Sequence, residues 1–267
     1  MSKARPARPR RDILLDVKGL WKSFGGITAV KDCDFTVEHG TIVGLIGPNG
    51  AGKTTMFNLI CGHLQADKGA VLLDGADITS LKPHQIAQMG IARTFQLIRL
   101  FPNMTVLENM MLAVRDQHEE LWHALLRFSY MKKEEKRNEQ HCMELLSFVG
   151  LHEKKDELAR NLSYGQQKLL EIARALVSEP ELLMLDEPAG GVNLTMLNRI
   201  KGLILKLKER GKTVLLIEHN MEFVMDICDK VVVLDYGEEI AVGKPAAIKK
   251  NKRVLDAYLG GIDETVT

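Results

Sequence analysis

The segment TIVGLIGPNGAGKT (residues 41–54) decides the fold of this chain. Its apolar first half is typical of a buried strand, and GPNGAGKT (residues 47–54) matches the GxxxxGK[ST] pattern of phosphate-binding loops in full. The residues that follow, TTMFNLICG, have a helical pattern. A strand, a glycine-rich loop and a helix in this order predict that backbone N–H groups and a helix N-terminus bind phosphate. An accidental glycine turn is the alternative, and the flanking patterns argue against it.

Two side chains of this loop have predicted roles toward a nucleoside triphosphate and its metal ion. Lys53 can bridge the β- and γ-phosphates, and the Thr54 hydroxyl can ligate Mg²⁺. The glycines let the backbone wrap the phosphates without clashes from Cβ atoms. The predicted nucleotide-binding residues of the loop are Gly47, Pro48, Asn49, Gly50, Ala51, Gly52, Lys53, Thr54 and Thr55.

A second segment, LLMLDE (residues 182–187), carries two carboxylates at the end of an apolar strand pattern. Such a strand is the expected partner of a phosphate loop. Asp186 is predicted to hold Mg²⁺ through water, and Glu187 to polarise the attacking water as a general base. A helix N-cap pair beside Pro188 is the alternative.

Strand and helix patterns alternate along the chain, which favours an α/β fold with a mostly parallel sheet and helices on both faces. Residues 116–150 differ, because they are charged and helical with no strand signal, and we interpret them as part of an inserted helical subdomain. The predicted strands include residues 41–47, 70–75, 181–187, 212–218 and 230–237, and the predicted helices include residues 169–178 and 197–210.

Three single residues are further candidates for the site. His219 follows the apolar run of LLIEH, and because parallel strands end at one sheet edge it could reach the γ-phosphate. A structural histidine is the alternative. The Gln96 amide in RTFQ could join the Mg²⁺ shell or orient water. Phe24 in LWKSFGG could stack on a flat base or belong to the core.

The segment LSYGQQ (residues 162–167) has the character of a second phosphate site. A hydroxyl, a glycine and two amides open another helical pattern there, and helix N-termini bind anions. The sequence therefore contains two phosphate-type segments far apart in the chain.

Composition sets the class of protein. The chain has 267 residues, of which 45% are hydrophobic and 27% charged, which is typical of a globular protein with a real core. A formal net charge of +1 gives no general attraction to nucleic acid. No apolar run reaches the roughly 18 residues of a membrane span, and the N-terminus lacks the apolar core of a secretory signal.

The first residues and the cysteines each have a composition that supports a prediction. Residues 1–11 are rich in Pro and Arg and predict a flexible basic arm, with contact to anionic lipid as the alternative. The four cysteines are widely spaced and form no CxxC motif, which indicates a reduced, cytoplasmic protein.

Together these segments resemble the ATP-binding subunits of ATP-binding-cassette (ABC) transporters, from about residue 14 onward. The resemblance implies that Phe24 stacks on adenine, that residues 47–54 are the Walker A loop and that residues 182–187 are the Walker B strand. It makes Gln96 the Q-loop glutamine and His219 the switch histidine. The implied metal ligands are Thr54, Gln96 and Asp186, the implied catalytic residues are Glu187 and His219, and the implied cofactors are ATP and Mg²⁺.

The family's fold is then expected over residues 12–267, as a single ABC-type P-loop nucleotide-binding domain. It has a mostly parallel sheet core, an antiparallel N-terminal β part and an inserted α-helical subdomain. The subdomain is expected at about residues 97–178, and a C-terminal tail at about residues 244–267.

The family also explains the second phosphate segment. Two such subunits meet head to tail, and the signature motif of each caps the nucleotide bound by the other. The resemblance assigns Ser163, Tyr164, Gly165 and Gln166 to this role, and Asn193 to the dimer contact. Tyr164 replaces the usual Gly and Asn193 the usual Asp. We expect capping to survive because Ser163 and Gly165 are kept, whereas Asn193 loses a charge but keeps hydrogen bonding.

Four segments narrow the resemblance to branched-chain amino-acid importers, in particular to the longer of their two paired ATPase subunits. These segments are LSYGQQ, RTFQLIRLFPNMTVLENMMLA, IEHNMEFVM and the terminal AYLG. The implied partners are a second ABC ATPase subunit, two transmembrane permease subunits and, indirectly, an external substrate-binding protein, with no nucleic acid. The implied location is peripheral, on the cytoplasmic face of the cell membrane.

Several alternatives stay open at this point. Related transporters move urea, amides or other small solutes, and a lipopolysaccharide-exporting relative shares the single-cassette plan. A soluble ABC ATPase that acts on DNA or ribosomes, and a regulator that no longer hydrolyses ATP, are non-transport alternatives. The intact Glu187 and His219 argue against the regulator.

The charged insert carries one further hypothesis. Trp122, Leu125, Leu126 and Phe128 form an apolar patch bordered by charge, which could lie near a groove for a cytoplasmic helix of the membrane subunit. Packing within the helical subdomain is the alternative.

Overall fold

The computed structural model describes residues 12–114 and 128–259. Their contacts divide them into two compact units. The first contains residues 12–86 and 228–259, and the second contains residues 87–114 and 128–227. The predicted basic arm (residues 1–11) lies outside the described residues, as do Trp122, Leu125 and Leu126. Phe128 is described only as the first residue of a helix. The hypothesis about this apolar patch therefore stays a prediction.

The first unit contains seven strands. Four of them form an antiparallel sheet in the order β2-β1-β4-β5, in which Val17 of β1 lies between Phe35 of β2 and Val71 of β4. In addition, β3 pairs in parallel with β9, and β9 pairs antiparallel with β10. The strands are β1 (Ile13–Phe24), β2 (Ile27–Glu38), β3 (Ile42–Ile46), β4 (Lys68–Leu73), β5 (Ala76–Asp77), β9 (Lys230–Asp235) and β10 (Glu238–Gly243).

The antiparallel N-terminal β part is thus confirmed. Its helices are short: α1 (Lys53–Ile60) follows β3, and α2 (Pro83–Gln88) runs on into the first residues of the second unit. Two more, α8 (Pro245–Ile248) and α9 (Lys252–Leu259), follow β10. β3 is buried along its whole length, as expected for a strand covered on both faces.

The second unit contains a parallel sheet in the order β6-β7-β8. Asp186 at the end of β7 lies opposite Ile217 at the end of β8, so the residues after both strands emerge at the same edge. Both of these strands are fully buried. The elements are β6 (Ile91–Arg93), α3 (Val106–Met111), α4 (Phe128–Val149), α5 (Tyr164–Leu176), β7 (Leu182–Asp186), α6 (Leu194–Glu209), β8 (Thr213–Ile217) and α7 (Met221–Ile227).

The mixed α/β fold predicted from the sequence is confirmed, with both parallel and antiparallel pairing. The predicted strands agree with the observed ones to within two residues at each end. α5 starts at Tyr164, where LSYGQQ predicts a helix opening although the apolar pattern begins only at residue 169, and α6 starts at Leu194, three residues before the predicted start. Apolar spacing marks only the turns that face the core, whereas each helix is initiated by a polar cap on its exposed first turn.

The expected helical subdomain falls within the second unit. Between β6 and β7, the described residues form helices and two 3₁₀ turns, His152–Lys154 and Ala159–Asn161. An isolated bridge joins Thr105 to Leu158. The helix predicted within residues 116–150 is present in the part that the structure describes, as α4. The boundaries of the subdomain and of the domain stay predictions.

All four cysteines are free thiols and are buried. Within residues 12–114 and 128–259, no helix combines the length and the apolar character that crossing a membrane requires.

Candidate functional site

The phosphate loop connects β3 to α1 as the sequence predicts. Gly47, Gly50 and Gly52 all have positive φ, at 152°, 82° and 98°. At Gly47 an added Cβ would collide with the carbonyl oxygen of Leu234, and at Gly52 with that of Ala29. The backbone therefore has room for glycine alone at both ends of the loop, and α1 begins directly after Gly52.

Lys53 is folded back onto its own loop. Its Nζ donates to the carbonyl oxygens of Gly47 at 2.8 Å and Pro48 at 2.7 Å, and the residue is buried. An ammonium group held by carbonyls at the centre of a loop leaves a positive charge where a phosphate would enter. Thr54 in the first turn of α1 is exposed, and Thr55 is partly so.

Phe24 ends β1 and lies on the surface, not in the core. The residue is 46% exposed. It pairs with Ile27 across a tight turn that contains Gly25 and Gly26. The Lys22 amine lies 5.5 Å from the ring centroid. An exposed aromatic ring next to a flexible glycine pair is suited to stacking on a base.

In the second unit, Asp186 is held by a buried ion pair. Arg93 Nη2 donates to Asp186 Oδ2 at 2.7 Å, and the two side chains are 7% and 4% exposed. The backbone N–H of Asp186 donates to the Thr94 hydroxyl at 3.2 Å. A carboxylate this deeply buried requires such a partner.

Glu187, the next residue, lies between two other candidates. Gln96 Nε2 donates to Glu187 Oε2 at 3.1 Å, while His219 Nε2 and Glu187 Oε1 are 2.8 Å apart. The structure thus brings Gln96, Glu187 and His219 together, although 123 residues of sequence separate the first from the last. The backbone of Glu187 is left-handed, with φ of +50°, a conformation that is uncommon for a residue other than glycine.

A cluster of buried charges supports the Glu187 backbone. Lys168 of α5 donates to the Glu187 carbonyl oxygen at 2.6 Å. Burial lowers the pKa of Lys168, and the carboxylate of Glu218 opposes this shift. Burial raises the pKa of Glu218, whose Oε1 accepts from the Ala189 N–H at 2.6 Å. The chain after β7 is therefore fastened on both sides of Pro188.

The signature segment forms the N-terminus of α5. The Ser163 hydroxyl accepts from the Gln166 N–H at 3.4 Å, and the Gln166 side chain accepts from the Ser163 N–H at 2.9 Å. This reciprocal capping box initiates the helix. A Cβ at Gly165 would overlap Met196 Cγ at 2.6 Å, so the Met196 side chain would have to move to admit a larger residue there.

Tyr164, the unusual residue of the signature, is 47% exposed. Its ring lies over Gly191, where a Cβ would be 3.2 Å from Tyr164 Cε1, and Lys168 Nζ lies 5.5 Å from the ring centroid. The tyrosine therefore occupies the space beside a glycine of the segment after Glu187.

Asn193, expected at a dimer contact, has a second role in the structure. Its Oδ1 accepts from the Met196 N–H at 2.9 Å and caps α6. Asp would serve equally well as a cap, which explains how this position tolerates the exchange.

We expect Asn193→Ala to lower the free energy of unfolding by about 1 kcal/mol, because α6 loses its cap. For a chain of this size such a change lowers the melting temperature by roughly 2–4 °C. Calorimetry measures the shift, and Asn193→Asp is the matched control that retains the cap. A melting temperature for Asn193→Ala equal to that of the unmodified protein would show that the cap adds nothing.

Comparison with known proteins adds the decisive observation. The family model described as "ABC transporter" matches residues 30–190, which include the phosphate loop, the signature and Asp186 with Glu187. The chain belongs to the ABC transporter family. A second model, "Branched-chain amino acid ATP-binding cassette transporter", matches residues 238–264 of this ABC transporter ATPase.

Curated relatives support the same assignment. The branched-chain amino acid transport ATP-binding protein BraF of Pseudomonas aeruginosa is 44% identical over 92% of this chain and 98% of its own length. LivG of Escherichia coli, described in the same terms, is 42% identical over the same shares. LptB of Haemophilus influenzae, a lipopolysaccharide export ATP-binding protein, is 36% identical over 92% of this chain and 97% of its own.

Solved structures agree with the fold. An ATP-binding cassette of an ABC transporter in its ADP conformation has a TM-score of 0.82 and 34% identity, covering 93% of this chain and 99% of that one. A dimeric bacterial ABC transporter cassette has a TM-score of 0.73 and 26% identity, covering 87% and 99%. This ABC transporter ATPase is thus a nucleotide-binding, ATP-hydrolysing subunit of a transporter complex, and the predicted enzyme class is confirmed.

Three residues of the ATPase were missed by reasoning from its sequence: Arg93, Lys168 and Glu218. Each is a charged side chain that is buried against the Walker B segment. Arg93 stands inside the RTFQ segment and Glu218 directly before His219, but only their burial shows their partners.

Among the described residues, no group of three or more His, Cys, Asp or Glu side chains could hold a metal ion.

Proposed function

We propose that this chain is the ATPase subunit of an importer for branched-chain or related hydrophobic amino acids. The observation that carries the ATPase part of the proposal is Glu187, held between Gln96 and His219 directly after the strand that ends in Asp186. This arrangement supplies a carboxylate that can take a proton from water, with an amide and an imidazole to orient it.

In this proposal the phosphate loop binds the triphosphate of ATP. The positive φ values of Gly47, Gly50 and Gly52 give the loop the turns by which backbone N–H groups can face phosphate oxygens. Lys53 exchanges its contacts with the Gly47 and Pro48 carbonyls for phosphate oxygens. Phe24 stacks on the adenine, because its ring is already exposed.

The residues also fit Mg²⁺, which prefers oxygen ligands. The Thr54 hydroxyl, the Gln96 amide oxygen and the Asp186 carboxylate would hold it, with Asp186 acting through water and ATP supplying the remaining oxygens. When bound, the ion neutralises charge on the phosphates. Arg93 keeps the Asp186 side chain in one place, because its guanidinium already holds one carboxylate oxygen.

The signature acts on a second subunit. Ser163 and the Gly165 N–H, with Tyr164 and Gln166 beside them, form a helix N-terminus suited to the γ-phosphate of the partner's ATP. ATP then joins two ATPase subunits and hydrolysis releases them, so the dimer works as a two-state switch. Asn193 lies beside this surface and is proposed to contribute a hydrogen bond to the dimer.

Cargo, partners and location rest on the relatives. The match of residues 238–264 to the branched-chain model and the identity to BraF and LivG favour amino acids over urea, amides or lipopolysaccharide. The proposed partners are a second ATPase subunit, two permease subunits and an external binding protein. The chain would lie on the cytoplasmic face of the membrane, bound to the permeases.

A pull-down of the tagged protein from gently solubilised native membranes tests this proposal. We expect two polytopic membrane proteins and a second, different ATPase to co-purify. ATP-dependent uptake of labelled leucine by the complex, reconstituted in vesicles with its binding protein, would then identify the cargo class. Recovery of the tagged chain with ribosomes or DNA, or uptake of urea but not leucine, would contradict the proposal.

A further inference from the structure

Lys168 is a buried lysine whose position in the fold is unusual. It lies in the second turn of α5, five residues after Ser163, and is only 5% exposed. Burial lowers its pKa, while the carboxylates of Glu218 and Glu171 oppose that shift. Burying an ammonium group is costly unless strong partners compensate. The hydrogen-bond partner of Lys168 therefore shows which part of the site this side chain holds.

That contact is the backbone of Glu187. Lys168 Nζ donates to its carbonyl oxygen at 2.6 Å, within the range of charge-assisted hydrogen bonds. Glu187 has φ of +50°, a sparsely populated and strained conformation for a residue other than glycine. Such a conformation persists only when its surroundings hold it. Lys168 supplies this restraint from one side, and the Glu187 N–H donates to the Ile217 carbonyl at 3.0 Å on the other.

The first turn of α5 also touches the segment that follows Glu187. Tyr164 lies over Gly191, and Gly165 packs against the Met196 side chain, whose Cγ would be 2.6 Å from an added Cβ. α5 therefore contacts this segment at Glu187, Gly191 and Met196. Movement of the N-terminus of α5 would be transmitted to the backbone of Glu187.

We propose that Lys168 is a positioning residue that holds the Glu187 backbone and joins the signature helix to the general base of the same chain. The inference rests on the proposed role of Glu187. It gives the signature helix a physical connection to the residue after β7: the segment that caps a partner's ATP is fastened to the carboxylate proposed as the general base.

Steady-state ATP hydrolysis by Lys168→Met and Lys168→Arg tests the role. For Lys168→Met we expect kcat to fall about 10- to 100-fold, since a misplacement of about 1 Å can cost that much. KM and the affinity for a fluorescent ATP analogue should stay unchanged, because no nucleotide contact is lost. Lys168→Arg, which keeps a cationic donor, should restore most of kcat.

The matched control is Lys212→Met, in which another lysine loses a hydrogen bond to a backbone carbonyl, that of Pro180 at 3.1 Å. It should leave kcat unchanged. If Lys168→Met fails to fold, Lys168→Gln is measured against Lys168→Arg instead. A wild-type kcat in the folded Met or Gln variant, or equal losses in the Lys168 and Lys212 variants, would overturn the inference.

Glu187→Gln, measured in parallel, separates this inference from the proposed function. Full turnover by the Glu187→Gln variant would show that Glu187 is not the general base, and the proposed function of this residue would then fail. A Glu187→Gln variant without turnover, beside a fully active Lys168→Met variant, would reject only the role of Lys168.

Discussion

Replacing Glu187 by Gln lowers the rate of ATP hydrolysis by about 10²- to 10⁴-fold, the usual contribution of a general base. The exchange keeps the size of the side chain but removes its capacity to take a proton from water. Its neighbours, Gln96 and His219, still find an amide to hydrogen-bond. ATP binding is expected to remain, because the phosphate loop is unchanged.

Two measurements on the purified protein check this expectation: phosphate release at saturating ATP and equilibrium binding of a fluorescent ATP analogue. Glu209→Gln, an exposed charge loss at the end of α6, is the matched control and should hydrolyse ATP normally. If Glu187→Gln retained more than about a tenth of the turnover, general-base catalysis of the usual size would lie elsewhere.

Gly52→Ala is expected to weaken nucleotide binding by about 10- to 100-fold. The new Cβ would collide with the carbonyl oxygen of Ala29, a backbone atom that has no easy way to move. The loop must shift instead, and its N–H groups then lose their convergence on the phosphates. Each hydrogen bond to a charged group is worth about 1.5–3 kcal/mol, so one lost contact accounts for the expected change.

The matched control for this effect is Gly211→Ala. Gly211 has φ of +77°, close to the 98° of Gly52, but no atom lies within 4 Å of its added Cβ. Both variants carry the cost of a left-handed alanine, about 1–2 kcal/mol, and only Gly52→Ala adds the collision. Titration calorimetry with ATP compares the two. Equal affinities would show that the loop tolerates the extra atom.

The elements around the phosphate loop were predictable because their signals are local. GPNGAGKT specifies its turn through glycines, and the apolar runs on either side specify β3 and α1 within a few residues. LLMLDE likewise identified β7 and its two carboxylates. The LSYGQQ segment also indicated the start of α5 at Ser163. The start of α6 was less predictable, since Asn193 initiates this helix on a turn that buries few apolar residues.

The pairing of charges could not be predicted in the same way. Arg93 and Asp186 are 93 residues apart and meet only because β6 and β7 pair in parallel, with Arg93 opposite Met184. Periodicity describes which face of one element is apolar, but it does not identify which distant strand will pair with that element. Lys168 had no signal of its own, because a lysine in a helix is normally exposed.

The sequence alone thus determined the α/β class and the family, and it located the glycine-rich loop after β3 and the carboxylates Asp186 and Glu187 at the end of β7, since these depend on residue types in local patterns. The roles of these residues stay predictions. Only the tertiary structure decided what surrounds Glu187. Gln96, Lys168 and His219 come from three separate parts of the chain and converge on this residue. Strand register and burial bring these residues together. Both arise only when distant segments pack and exclude water, so the pattern of one segment does not show them.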